Sequence, residues 1–257
     1  MFFVNHGAKL QKILYLCTRN MMEFKIVHVD ETDSTNRWMK ENGEGVMVVV
    51  ADFQTAGKGC GSNTWESERG QNLLFSVLIH PQKVSARTQF IITQMVSVAL
   101  CNTLQRYIPQ TPEIKWPNDI YVGDKKICGV LIENRLEGHR IKDCVIGIGL
   151  DVNQTVFVSD APNPVSIKQL TGRDTDRDEL LAAFLDELQR AIENKGIHQA
   201  YMNRLYRREG LHPFEANGKR FMATVVGTTD DGRLMLQDAN GIAHLYRFKE
   251  VVFVIEH

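Results

Sequence analysis

Apolar and polar residues recur along the chain with periods that predict strands interrupted by a few helices. Residues 24–29 alternate between apolar and polar, which predicts a half-buried strand. The apolar runs at 46–53 and 72–79 predict strands buried on both faces. Between Ser85 and Pro109, apolar side chains recur every three or four residues and predict one face of a long helix. That face comprises Ile91, Ile92, Met95, Val96, Ala99, Leu100 and Leu104.

The second half of the chain predicts a hairpin, one long strand, several helices and a final β-rich unit. Strands are predicted at 120–122, 127–132 and 141–153, the first two joined by a tight turn at 123–124. Helices are predicted at 166–170, from 176 or 178 to about 195, and from there to 209. After a boundary at 210–213, turn sequences at 217–218, 230–232 and 240–241 separate short alternating segments, which predict a small antiparallel barrel.

Composition describes an ordinary globular protein, not a membrane or disordered one. The 257 residues are 43% hydrophobic and 24% charged, and no apolar run approaches the roughly 18 residues of a membrane span. With 30 basic and 31 acidic residues, the net charge of -1 gives no overall attraction to nucleic acid. The basic cluster Arg204, Arg207 and Arg208 is therefore predicted to be a solvated face.

The cysteines and histidines are too scattered to favour a metal centre or a catalytic pair. The five cysteines are odd in number and lack the spacing of zinc ligands, and the eight histidines stand singly. We interpret the cysteines as reduced thiols, which favours a cytoplasmic location. They are Cys17, Cys60, Cys101, Cys128 and Cys144.

The segment Lys115 to Glu133, called the central motif below, carries the most specific chemistry. It begins KWPND, in which Pro117 fixes the backbone in a bend, so that the polar residues after it cannot continue a helix. Lys115 precedes this bend and Lys126 follows the hairpin turn, so the two ammonium groups are predicted to enter one pocket. Such a pocket suits a carboxylate and a phosphate together.

A second segment, residues 54–65, is called the glycine loop. Gly57, Gly59 and Gly61 alternate around Lys58, a pattern that allows backbone N–H groups to approach phosphate oxygens. The segment is neither a P-loop nor a dinucleotide-binding G-x-G-x-x-G motif. If the glycines are considered without the residues around them, the segment is more typical of a flexible turn than of a phosphate-binding loop.

Together these segments resemble biotin protein ligases. The central motif matches the family at Lys115, Trp116, Pro117, Asn118, Asp119, Lys126, Gly129, Leu131 and Glu133. The D-S-T-N sequence at 33–36 is similar to the family's biotin-binding helix start, and the glycine loop, through Trp65, is similar to its adenylate-binding loop. Residues 141–153 are similar to its I-G-x-G-x-N-x-N strand.

The resemblance implies roles for individual residues. Lys126 and Lys115 are expected to be catalytic. Biotin is expected to contact Ser34, Thr35, Asn36, Gln54, Gly57, Lys58, Trp65, Lys126, Gly129, Leu131 and Gly147. The nucleotide is expected to contact Lys58, Gly59, Cys60, Asn63, Trp65, Lys115, Asn118, Asp119 and Asn153. Mg²⁺ is expected to arrive with ATP and to lie near Asp119, without a metal-binding cluster in the protein.

Two positions depart from the family pattern. Cys60 replaces a frequent arginine, which would hold phosphate in a bidentate manner, so the intermediate is expected to escape more easily. Asp151 replaces the first asparagine of the third motif, and a carboxylate is unfavourable beside phosphate unless Mg²⁺ intervenes. The alternative for Cys60, a tolerated small residue in a mobile loop, stays open.

The implied fold is α+β: a class II aminoacyl-tRNA synthetase-like or biotin ligase-like catalytic domain, with a mixed or antiparallel sheet flanked by helices, and a C-terminal SH3-like barrel. The expected boundaries are a weakly ordered extension at 1–23, with Met21 or Met22 as the natural start, a catalytic domain at 24–210 and the barrel at 211–257. The implied type is monofunctional, without an N-terminal DNA-binding domain, because about twenty residues cannot supply a helix-turn-helix domain.

The implied reaction forms biotinyl-5′-AMP from biotin and MgATP and then biotinylates a lysine of a biotin carboxyl carrier protein, such as that of acetyl-CoA carboxylase. The resemblance leaves homodimerisation open. Two alternatives remain: a lipoate-type acyl-protein ligase, whose arginine-rich glycine motif is missing, and a biotin-sensing DNA-binding regulator.

Overall fold

The computed structural model describes residues 9–10, 22–61, 63–81, 83–159 and 163–255. The predicted extension at 1–23, including the start at Met21, therefore lies outside the described residues except for 9–10 and 22–23. The helices are α1 Thr35–Asn42, α2 Phe90–Leu104, α3 Ile167–Thr171, α4 Arg177–Glu193 and α5 Ile197–Met202. The strands are β1 Lys9–Leu10, β2 Lys25–Thr32, β3 Met47–Gln54, β4 Leu73–Ile79, β5 Glu113–Lys115, β6 Asp119–Val122, β7 Lys125–Glu137, β8 Arg140–Leu150, β9 His212–Ala216, β10 Lys219–Thr228, β11 Leu234–Asp238, β12 Ala243–Tyr246 and β13 Val252–Phe253.

An eight-stranded mixed sheet organises the larger part of the molecule. Its strand order is β1-β2-β3-β4-β8-β7-β6-β5, with β2 and β3 parallel and the other neighbours antiparallel. The predicted hairpin of the central motif is present, since β6 pairs with β7 across a turn in which Gly123 has a φ of +58°. Because β5 also pairs with β6, Lys115 in β5 and Lys126 in β7 lie on either side of β6 at one edge of the sheet.

Side chains at alternate positions of the sheet enter two different cores, as strand geometry requires. Val48 and Val50 belong to the large core, which is covered by α2 and α4, whereas Val49 belongs to a smaller core under α1. On the α1 side of β7 and β8, glycines replace bulky residues, and this leaves room for a cavity.

The C-terminal residues form a second, five-stranded antiparallel sheet of order β12-β11-β10-β9-β13. The predicted turns are present: Asn217 and Gly218 both have positive φ, as a two-residue hairpin loop requires, and Gly232 and Gly241 also have positive φ. This sheet shares the large core through Phe214 and Phe253.

Three expectations from the sequence need correction. The long helix begins at Phe90 and not at Ser85, because Ser85 instead forms a bridge with Arg140. The helix predicted to reach Glu209 ends at Met202, because Leu205 pairs with Ile114 at the sheet edge.

The third correction concerns Arg207, which was predicted to be solvated. It is only 7% exposed, donates to the carbonyls of Pro213 and Val254, and lies over the rings of Tyr206 and Phe214. Its guanidinium links β9 to the residue that follows β13 in the C-terminal sheet. Within the described ranges, none of the helices has the length and apolar character to cross a membrane.

Candidate functional site

A cavity of about 870 Å³ lies on the α1 face of the large sheet. Its walls come from the start of α1, the glycine loop, the central motif, β8 with Asp151 after it, and the C-terminal residues 248–253. A further wall is the segment Gln154–Ser159, called the wall loop, which contributes Phe157, Val158 and Ser159. Cavities of this size hold ligands as large as drugs and nucleotides.

One end of the cavity is built from hydroxyl and amide groups at the start of α1. Gln54 accepts hydrogen bonds from the Thr35 N–H and hydroxyl at 2.8 and 3.1 Å, so it satisfies a free donor of the helix terminus. Ser76 donates to both Thr35 Oγ1 and Asn36 Oδ1, at 2.8 and 2.6 Å. Ser34 occupies the N-cap position, but its hydroxyl makes no capping hydrogen bond. This end offers both donors and acceptors to a neutral polar ligand.

Asn36 is held in place from the opposite side by Glu133. The Asn36 amide donates to Glu133 Oε2 at 2.8 Å, and Lys40 donates to Glu133 Oε1 at 2.5 Å. Burial acts to raise the pKa of Glu133, but the hydrogen bonds from Lys40 and Asn36 outweigh it and lower the pKa. The charged carboxylate therefore fixes the orientation of the Asn36 amide toward the cavity.

The two lysines of the central motif enter the same cavity in different surroundings. Lys126 Nζ lies 2.8 Å from Asp119 Oδ1, with both side chains about one quarter exposed. Lys115 Nζ lies 4.8 Å from the centre of the Tyr121 ring and 5.5 Å from that of Phe253, and it donates to the Tyr121 hydroxyl at 3.2 Å. Burial lowers the pKa of Lys115, while the nearby Asp119 opposes this change.

The floor of the cavity is made of glycines covered by the Trp65 indole. A Cβ atom at Gly149 would lie 2.6 Å from Trp65 Nε1, and one at Gly129 would lie 2.8 Å from Trp65 Cζ3. Only glycine therefore permits the indole to rest on the sheet at these two positions. Among the described residues, Trp65 Nε1 has no hydrogen-bond partner, and it is buried where the indole lies against Gly149.

Two carboxylates shape the far wall. Glu66 accepts from the backbone N–H groups of Val158 and Ser159, at 2.9 and 2.8 Å, and so ties the wall loop to the glycine loop. Burial acts to raise the pKa of Glu66, but these hydrogen bonds lower it overall. Asp151 is 3% exposed and accepts from Asn72, and its burial raises its pKa well above the ordinary value although Lys126 opposes this.

Most residues that the sequence analysis selected line this one cavity. They are Ser34, Thr35, Asn36, Gln54, Lys58, Gly59, Cys60, Asn63, Trp65, Lys115, Asn118, Asp119, Lys126, Gly129, Leu131 and Gly147. Asp151 lines it as well. The cavity therefore brings together residues from Ser34 to Asp151, and its remaining lining residues extend to Phe253. Their individual roles stay predictions.

Two selected residues are not brought to the cavity. Asn153 uses its side-chain amide to bond the backbone of Thr175 in both directions, at 2.9 and 3.0 Å, and it does not line the cavity. Gly57 lies behind the lining, where its carbonyl accepts from the Trp65 N–H at 3.0 Å. Gly57 therefore shapes the glycine loop from outside the cavity.

Several residues of the site were missed by the sequence analysis. Glu66 and Lys249 line the cavity, and Ser76 holds Thr35 and Asn36 from below. Ser76 had a recognisable signature, since it is the one polar residue within the buried strand β4. Glu66 and Lys249 had none, because ordinary surface carboxylates and lysines have the same local sequence appearance.

The acidic residues of the described segments do not form a metal-binding cluster. No group of three histidine, cysteine or carboxylate side chains is close enough there to hold a metal ion. Asp119, which was expected to lie near Mg²⁺, has one oxygen paired with Lys126 and can offer the other. Mg²⁺ commonly keeps several waters and binds through one or two carboxylates plus substrate phosphates, which fits this arrangement.

Comparison with known proteins gives consistent matches. Residues 27–151 match the profile of the Biotin/lipoate A/B protein ligase family. The bifunctional ligase/repressor BirA of Bacillus spizizenii is 28% identical over 237 residues, which cover 86% of this chain and 72% of that protein. The human biotin--protein ligase is 30% identical over 214 residues, covering 76% of this chain but 29% of the human protein.

A solved structure has a similar fold. The biotin protein ligase from Aquifex aeolicus, determined in complex with biotin and ATP, superimposes with a TM-score of 0.75. The alignment covers 90% of this chain and 99% of that protein at 23% identity. At this identity the likeness extends to the fold, namely a large mixed sheet followed by a second antiparallel sheet.

Proposed function

Because this chain belongs to the Biotin/lipoate A/B protein ligase family, we propose that it is an ATP-dependent biotin protein ligase. It forms biotinyl-5′-AMP from biotin and MgATP and transfers biotin to a lysine of a biotin carboxyl carrier domain. The observation that carries this proposal is the convergence of Lys58, Lys115 and Lys126 on one cavity that also contains a neutral, hydrogen-bonding end. A vitamin with a ureido ring at one end and a carboxylate at the other matches these two environments.

In the first step the biotin carboxylate oxygen attacks the α-phosphorus of ATP, and the bond to pyrophosphate breaks. Two anionic groups must approach one another, so positive charge is needed where they meet. Lys126 lies beside the glycine floor, with Nζ 3.3 Å from the Cβ position at Gly129, and we assign it to the carboxylate and the α-phosphate. Lys115, held against Tyr121, is assigned to the α-phosphate.

At the other end, Ser34, Thr35 and Asn36 are assigned to the ureido ring. The Asn36 amide also donates to the Leu131 carbonyl at 3.3 Å, and this contact and Glu133 together pre-orient it. A group that is already oriented loses less entropy on binding.

In the second step the amine of a carrier lysine attacks the acyl carbon and AMP leaves, with the proton of the amine passing to solvent. The nucleophile belongs to the partner, so this chain need not supply an activated serine or cysteine. The contribution of this chain is to keep water away from the mixed anhydride. The Trp65 indole covers the floor of the cavity and the wall loop covers its side, and both support this exclusion of water.

The domain division is part of the same proposal: a catalytic domain at 24–210 and a C-terminal SH3-like unit at 211–257. Trp116 supports a fixed junction between them, because its Nε1 donates to the Gly232 carbonyl at 2.9 Å and its ring contacts Phe248. Pairing of two copies through a sheet edge is the corresponding hypothesis for the oligomeric state, to be measured by analytical ultracentrifugation. A cytoplasmic location is the remaining expectation.

The direct test combines the protein with MgATP, a biotin carboxyl carrier domain and either biotin or lipoic acid. Mass spectrometry of the carrier should show one modified lysine with biotin and none with lipoic acid, and biotinyl-adenylate should accumulate when the carrier is left out. Modification by lipoic acid alone would overturn the biotin assignment, and absence of any adenylate would overturn the ligase assignment.

A further inference from the structure

Lys249 is a cavity-lining cation whose position is set by an unusual backbone conformation. It lies in a turn between β12 and β13 that is closed by a hydrogen bond from the Glu250 N–H to the Arg247 carbonyl at 3.0 Å. Its φ of +71° is in the left-handed region, which is sterically unfavourable for a lysine and open to glycine. A strained residue in a cavity wall suggests that its side chain has a function there.

The ammonium group of Lys249 reaches across to the glycine loop. Its Nζ lies 2.9 Å from the point where a Cβ of Gly61 would be, so any side chain at Gly61 would displace it. The adjacent Phe248 packs edge-on against Trp116 of the central motif, with ring centres 6.1 Å apart. The turn is thus anchored on the central motif, and its lysine projects over the tip of the glycine loop.

The other cations of the cavity have surroundings that place them elsewhere. Lys126 is paired with Asp119, Lys115 is enclosed by Tyr121 and Phe253, and Lys58 contributes to lowering the pKa of Glu133 at the amide end of the cavity. Lys249 is exposed and, among the described residues, forms no ion pair. The neighbouring Cys60 brings no positive charge to this part of the lining.

We propose that Lys249 binds the β- and γ-phosphates of ATP, and the pyrophosphate that leaves, at the junction of the C-terminal sheet and the glycine loop. The inference rests on the proposed function, since it takes the α-phosphate to lie between Lys115 and Lys126. The two remaining phosphates then need a further cation, and Lys249 is the remaining lysine of the described cavity lining. Contact with this lysine also links the glycine loop to the C-terminal sheet when ATP is bound.

The test uses the full chain with Lys249→Gly, Lys249→Arg and, as a matched control, Lys219→Ala, which removes an exposed lysine of β10 outside the cavity. Lys249→Gly removes the charge and relieves the backbone, so its melting temperature should be equal to or above that of the wild type. Its KM for ATP should rise about tenfold, which corresponds to about 1.4 kcal/mol. Its KM for biotin should stay within twofold, and Lys249→Arg should restore most of the ATP affinity.

Transfer of biotin from preformed biotinyl-adenylate to the carrier should be unchanged in Lys249→Gly, because the adenylate lacks the β- and γ-phosphates. An ATP KM within twofold of wild type, or an equal rise in Lys219→Ala, would overturn the proposal. Calorimetric titration with ATP and with pyrophosphate gives the same comparison without turnover. If the wild type bound ATP and pyrophosphate but formed no adenylate, the proposed function would fail. Weaker pyrophosphate binding by Lys249→Gly than by the wild type would still support the phosphate site in that case.

Discussion

Replacing Lys126 with alanine should separate catalysis from stability. The main-chain N–H of Lys126 donates to the Asn163 carbonyl at 2.8 Å, and its carbonyl accepts from the Val165 N–H at 2.9 Å. These backbone bonds remain in the variant. The side chain loses an ion pair with Asp119, and because both partners are about one quarter exposed, the stability cost should be about 1 kcal/mol or less.

For a chain of this size, that cost corresponds to a fall in melting temperature of about 2–4 °C. The effect on catalysis should be far larger, since removing one preorganised group that stabilises developing charge typically lowers the rate about 10²–10³-fold. Biotin-dependent exchange of labelled pyrophosphate into ATP measures the first step, and differential scanning calorimetry measures the melting temperature. The adjacent Lys125→Ala is the matched control, because Lys125 is exposed and does not line the cavity.

The reasoning would be refuted if Lys126→Ala kept more than a third of the wild-type exchange rate, or if Lys125→Ala lost as much. A fall of more than about 10 °C in the melting temperature would also refute it, because the loss of activity would then follow from the loss of the fold.

Three further outcomes follow from the geometry of the cavity. In Gly147→Ala the new Cβ would lie 2.8 Å from Asn36 Cγ, so we expect the KM for biotin to rise at least tenfold with an unchanged KM for ATP; equal increases would contradict this. Glu66→Gln should speed hydrogen exchange of the wall-loop amides about tenfold at pH 7. In the wild type, whose Glu66 pKa is lowered, these amides should loosen only as the pH falls below 4.5, and loosening already at pH 6 would count against the carboxylate anchor. Burial lowers the pKa of Lys115 from 10.5, and the charged form of this lysine is the active one. The rate of pyrophosphate exchange into ATP should therefore begin to decline at a lower pH than it would if Lys115 had the pKa of an ordinary lysine. A flat pH profile up to pH 10.5 would exclude that role.

The sequence alone identified the central motif, the glycine loop and the helix start at Ser34 because each of them is a local feature. A proline bend, a tight turn and closely spaced polar residues depend on interactions within a few positions of the chain. The hairpin at Gly123, the turn at Asn217-Gly218 and the cap at Asp176, which accepts from two N–H groups of α4, were predictable for this reason.

Element ends were less predictable where a distant partner competes with local preference. The sequence after Met202 is compatible with a helix, but Leu205 pairs with Ile114 of the large sheet, 91 positions earlier. Arg207 has the composition of a surface residue and is nevertheless enclosed, because the C-terminal sheet folds back over it and supplies the carbonyls of Pro213 and Val254.

The sequence by itself determined which side chains are candidates for the chemistry of biotin activation, and in which order they occur. Only the tertiary structure decided that Glu66 holds the wall loop, that Ser76 supports Thr35 and Asn36, and that Lys249 meets Gly61. The physical reason is that a side chain's surroundings depend on how sheets and loops pack. That packing brings together residues that are far apart in the chain, and the sequence around each of them does not indicate its distant partner.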